Sequence, residues 1–86
     1  MNTIKYKPLQ DWLKKQPTSK KQIVLSFQQI ESILSSKMPA SASDHEWWWS
    51  NEGENTRHPQ SVAWFKAGWK VESLDLKNKA VTFKRV

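Results

Sequence analysis

The residues of this chain that could do chemistry are few and scattered. His45 stands between Asp44 and Glu46, and His58 follows thirteen residues later. Imidazoles beside carboxylates can ligate a transition metal, but zinc sites space their ligands as HExxH or as paired thiolates and histidines, and this chain has no cysteine. Neither a metal nor a cofactor is expected, and both histidines are assigned to polar networks or caps. Glu72, Asp75 and Lys77 imitate the acid-x-Lys arrangement of some metal-dependent nucleases. They fall in a hairpin with no further acidic partner, so strand-surface charge explains them better. There is no glycine-rich phosphate loop, no Ser/His/Asp order and no thiol nucleophile, and the chain is expected not to be an enzyme.

What remains is binding chemistry. Fourteen Lys and Arg against eight Asp and Glu give a net charge of +6, which attracts polyanions. The charge is segregated. Residues 39 to 58 hold four acids (Asp44, Glu46, Glu52, Glu54) and one base (Arg57), leaving 13 bases and four acids elsewhere. A polyanion should therefore avoid the middle of the chain and meet its flanks. Six tryptophans suggest a stacking platform, since an aromatic face holds an unstacked base by roughly 1–3 kcal/mol. Trp12, Trp47, Trp64 and Trp69 read better as fillers of a small core, each burying roughly 150–250 Å², which leaves Trp48 as the candidate for stacking.

Eighty-six residues make one domain, because a chain below roughly 100 residues cannot close two cores. Without disulfides, its stability must come from packing, as in a reducing compartment. The N-terminus lacks the apolar run of a signal peptide, and no stretch approaches the roughly 20 apolar residues that span a bilayer. These features predict a cytoplasmic protein with no membrane partner.

The elements that must position these groups follow from periodicity and punctuation. Pro8 suits the first turn of a helix carrying Leu9, Trp12 and Leu13 on one face, and Pro17 ends it. Ile23-Val24-Leu25 reads as a strand. Ser26 and Gln29 form a capping-box pattern that opens a helix with Phe27, Ile30, Ile33 and Leu34 as its apolar stripe, ending before Pro39. Three consecutive tryptophans predict a short strand over Glu46–Ser50, with Trp47 and Trp49 on one face and Trp48 on the other. Pro59 and Gly68 bracket a third helix, Pro59–Ala67, which must pack on two sides or leave Trp64 partly exposed. Trp69–Leu76 and Ala80–Val86 read as a hairpin with a tight turn at Lys77-Asn78. The phase of Val71 and Leu74 requires a bulge near Ser73.

Helix, strand, helix, inserted strand, helix and basic hairpin is the order of a small α+β domain of winged helix-turn-helix type, with a Trp-rich insertion before its third helix. In such a fold the third helix enters a DNA groove and the hairpin wing touches phosphate. That mapping assigns nucleic-acid contacts to Arg57, His58, Gln60 and Ser61 at the helix start, and to Lys70, Lys77, Lys79, Lys84 and Arg85 on the wing. The expected partner is duplex DNA and the expected role a small non-catalytic regulator. The same lysines also suit a merely soluble surface that protects strand edges. Val62, Ala63, Trp64, Phe65 and Ala67 leave that helix little polar surface beyond its first turn. The alternative is a protein-interaction module, such as a phage- or defence-linked adaptor or inhibitor, using an aromatic face that includes Trp48 and Trp64.

Leu25-Ser26-Phe27 with Ile30-Glu31, Met38-Pro39, His45, Trp47-Trp48, Asn51, Gln60, Ala63-Trp64 and Ala67-Gly68-Trp69 together resemble a family of small, uncharacterised bacterial domains. The resemblance covers nearly the whole chain and implies positions rather than an activity. It marks His45, Trp48, Asn51 and Gln60 as polar and aromatic positions that a hydrophobic core would not require, lining one face between the insertion and the third helix. Where such relatives tend to carry bases beside the histidine, this chain has Asp44 and Glu46. That argues against nucleic-acid contact through this face, though not through the wing.

Overall fold

The computed structural model describes residues 3–53, 56 and 58–86. In chain order the elements are α1 (Thr3–Lys14), β1 (Gln22–Ser26), α2 (Phe27–Leu34), α3 (Ala40–Asp44), a 3-10 turn (Glu46–Trp49), α4 (Pro59–Lys66), β2 (Trp69–Asp75) and β3 (Ala80–Arg85). The three strands form one antiparallel sheet in the order β1-β3-β2. Its inner face presents Ile23, Leu25, Trp69, Val81 and Phe83, all buried, to a helical layer in which α1 packs on both α2 and α4.

Local signals fix several elements. Ser26 Oγ accepts from the Gln29 N–H at 3.0 Å while Gln29 Oε1 accepts from the Ser26 N–H at 2.8 Å, so the capping box opens α2 as the sequence predicts. Ser35 ends α2 in the left-handed region (φ 55°). Gly68 (φ 83°) turns the chain from α4 into β2, a conformation that costs glycine little. The hairpin register slips between Val71 and Ser73, the bulge that returns Leu74 to the inner face.

Four features depart from the order and bounds that the sequence predicts. First, α1 begins at Thr3, with Pro8 inside it. Tyr6, Leu9 and Leu13 all face the core, and their burial outweighs the single intrahelical bond that Pro8 cannot donate. Second, the small residues after Pro39 form α3, whose fully buried Ala42 lets the helix approach Trp49 closely enough for the Trp49 Nε1–H to donate to the Ala42 carbonyl at 2.8 Å.

Third, the triple tryptophan is a 3-10 turn and not a strand. A strand would send Trp48 and Trp49 to opposite faces, but the core lies on one side only. Three residues per turn lets the consecutive Trp48 and Trp49 both be buried while Trp47 points outward at 48% exposure. Fourth, the hairpin connection is longer than a two-residue turn. The residue with positive φ is Lys79 (54°), and Asn78 instead donates from its backbone and side-chain nitrogens to the Asp75 carboxylate at 3.0 and 2.8 Å.

Candidate functional site

The polar residues between the 3-10 turn and α4 hold backbone together. Asn51 presents its carboxamide to the outer edge of β2. Its Oδ1 accepts from the Val71 N–H at 2.9 Å and from the Trp64 Nε1–H at 3.1 Å, while its Nδ2 donates to the Val71 carbonyl at 2.8 Å. One side chain thus imitates a paired strand residue and satisfies a buried indole. Gln60 donates from Nε2 to the Trp48 carbonyl at 3.0 Å, and Ser61 Oγ accepts from the Glu52 N–H at 2.9 Å. Both side chains are buried, at 4% and 1% exposure, so the groove-facing role expected of Gln60 and Ser61 is corrected. α4 packs on two sides, and loop and core claim the residues that would have read bases. Trp48 and Trp64, expected on an interaction face, are also buried. They belong to an aromatic core in which Trp64 stacks on Trp49 (5.8 Å between centroids, 8°) and Trp49 stacks on Phe27 (5.0 Å, 20°).

Phe65 on α4 and Trp47 are both 48% exposed, and the need to fill a small core had placed Trp47 inside. The Trp47 ring lies 5.8 Å from His45 and 5.4 Å from His58. His58 Nδ1 lies 2.7 Å from Glu52 Oε1, which also accepts from the Thr56 hydroxyl, and the His58 N–H donates to Thr56 Oγ1 at 3.1 Å. The hydroxyl of Thr56 and then the imidazole of His58 hold the Glu52 carboxyl below its ordinary value of 4.5. A native pKa below the unfolded one means that the stabilisation is complete above the ordinary glutamate value and is lost as pH falls through the lowered native value. Acid titration of melting temperature should therefore fall less steeply for Glu52→Gln than for the wild type over that interval, with the two curves parallel above it. Equal acid limbs would disprove the coupling.

Lys70, Lys77, Lys79 and Lys84 on the hairpin are exposed. Lys70 and Lys84 are cross-strand neighbours, and Lys84 Nζ lies 3.6 Å from Glu72. Arg85 does not join them, which corrects its assignment as a free phosphate contact. Its guanidinium lies 4.4 Å from the Trp69 ring centre and donates from Nε to the Lys20 carbonyl at 2.9 Å and from Nη2 to the Pro17 carbonyl at 2.7 Å. The side chain locks the α1–β1 loop onto β3. Arg57 lies outside the described residues. Asp75, one of the nuclease-like acids, has its carboxylate occupied by Asn78, which also lowers its pKa. Among the described residues no group of three His, Cys, Asp or Glu could hold a metal ion, and no helix is long and apolar enough to cross a membrane.

Fold and surface together define a small mixed α+β domain with four α-helices among the described residues and a three-stranded antiparallel sheet. Asn51, Gln60, Ser61 and Arg85 hold backbone and loops together, while Lys70, Lys77, Lys79, Lys84 and Trp47 are exposed. The chain belongs to the family described as domain of unknown function DUF7662, whose model matches residues 6–86. No curated protein and no solved structure matches it.

Proposed function

We propose that this protein is a non-catalytic, cytoplasmic DNA-binding domain of winged-helix type that holds duplex DNA chiefly through the phosphate backbone. The observation that carries this reading is the set of four exposed lysines on the β2–β3 hairpin, Lys70, Lys77, Lys79 and Lys84. The order of elements and the return of the hairpin against β1 support the winged-helix comparison. Because Gln60 and Ser61 are buried, base reading through the first turn of α4 is not part of the proposal. Binding should depend strongly on salt and weakly on sequence.

Titrating a labelled duplex against salt tests it. Lys77→Ala/Lys79→Ala should weaken binding uniformly across sequences and reduce the log–log salt slope by about two, roughly one per lysine removed. Undetectable affinity at low ionic strength, or an unchanged slope, would reject the reading.

One observation favours a second reading, an adaptor-type module that binds protein. Trp47 is 48% exposed and flanked by two histidines, the kind of residue that anchors interfaces. On that reading Trp47→Ala abolishes a partner complex while leaving both melting temperature and DNA affinity unchanged. A drop in DNA affinity would instead place Trp47 on the nucleic-acid surface.

A further inference from the structure

The two edges of the sheet are treated differently. At β2 the outward backbone groups of Val71 are taken by Asn51 and the bulge follows immediately. At β1 the register fixes which groups face outward. The Arg85 N–H donates to the Lys21 carbonyl and the Phe27 N–H to the Lys79 carbonyl, so odd-numbered residues of β1 bond to β3. Gln22, Val24 and Ser26 turn their backbone groups away from the sheet.

The outward N–H of Ser26 is already taken by Gln29, and beyond the other end the Lys20 carbonyl is taken by Arg85. That leaves the N–H and C=O of Gln22 and of Val24, four groups with no partner among the described residues. Beside them Val24 is 62% exposed, on the solvent face of the sheet next to Thr82.

We propose that this edge receives an extended acidic segment of a partner protein, which adds as a fourth strand beside β1. Four backbone hydrogen bonds set its register, and an alternating pattern of β-branched residues covers Val24. The choice of occupant rests on charge. Lys20 and Lys21 enter the strand, and Lys84, with Lys70 beyond it, lies across from Gln22. Among the described residues Lys84 has an acid beside it, Glu72 at 3.6 Å. A second copy could reach the same four groups by pairing Gln22 with Val24. It would bring together two chains of net charge +6 with lysines on both sides, the arrangement by which edge strands resist self-association. An acidic strand converts that repulsion into attraction.

The test uses the full chain and a fluorescein-labelled peptide, Glu-Asp-Val-Thr-Val-Thr-Val-Asp-Glu, followed by anisotropy at low ionic strength. Binding should protect the Gln22 and Val24 amides from hydrogen exchange. N-methylating alternate amides of the peptide on its pairing edge leaves its charge unchanged and should weaken binding about tenfold. Lys20→Glu/Lys21→Glu, which changes only exposed side chains, should abolish it. Val24→Pro removes an outward N–H at an edge position where proline is tolerated, and it should weaken binding if it folds. The proposal is overturned if the N-methylated peptide binds as tightly as the parent, which would show charge attraction alone. It is also overturned if protection appears away from β1, or if the chain self-associates through β1 and the peptide does not dissociate it.

Discussion

Trp64→Ala is expected to lower the unfolding free energy by about 3–5 kcal/mol, the usual cost of emptying a large aromatic site. For 86 residues total stability is of order 4–13 kcal/mol, so this one change should leave the domain marginal or unfolded. The reason lies in its surroundings. Trp64 is 1% exposed, stacks on Trp49, meets Trp48 at 6.5 Å and Phe83 at 5.6 Å, and donates its indole N–H to Asn51. It therefore joins the 3-10 turn, the sheet and the Asn51 clamp. Urea denaturation gives the measurement, and Phe65→Ala gives the contrast. Phe65 follows Trp64 on α4 but is 48% exposed, so its loss should cost under about 1 kcal/mol. Similar costs at the two positions would contradict the packing described for α4.

Asn51→Ala should cost about 2–3 kcal/mol despite removing a residue on the surface. The methyl group cannot accept from the Trp64 indole, and leaving a buried donor unsatisfied costs roughly 1–3 kcal/mol. The Val71 N–H and C=O lose their partner too, but they lie at a sheet edge that water can reach, so their share is smaller. Coupling distinguishes this account from a general loss of packing. Trp64→Phe removes the indole N–H, so Asn51→Ala should cost less in that background than in the wild type. Hydrogen exchange at the Val71 amide should quicken in every Asn51→Ala chain. Additive costs would mean that the 3.1 Å contact between Asn51 and Trp64 contributes nothing.

These two positions show where the sequence could be read and where it could not. The cap at Ser26, the bounds of α4 and the bulge in β2 were legible because each is written within a few residues, as a side chain facing its own backbone or as a break in alternation. The roles of Asn51, Gln60 and Arg85 were not. All three looked like surface polar groups, and a resemblance to small domains marked two of them without saying what they do. Their partners lie at sequence distances of 20 for Asn51 to Val71, 12 for Gln60 to Trp48 and 65 for Arg85 to Lys20. No local pattern encodes such pairings. α3 escaped for a different reason. Its small residues have no apolar stripe, and the turn is useful only because Trp49 arrives from outside to use the Ala42 carbonyl.

The sequence by itself determined β1, the capped α2, the bounds of α4, the hairpin strands and the excess of positive charge outside residues 39 to 58, because hydrogen-bonding periodicity and charge are properties of neighbouring residues. Only the tertiary structure decided which tryptophans are inside. Three in a row carry no direction until a core forms on one side of them. Once Phe27, Trp64 and Tyr6 supply that core, a turn of three residues per revolution buries Trp48 and Trp49 and leaves Trp47 facing solvent.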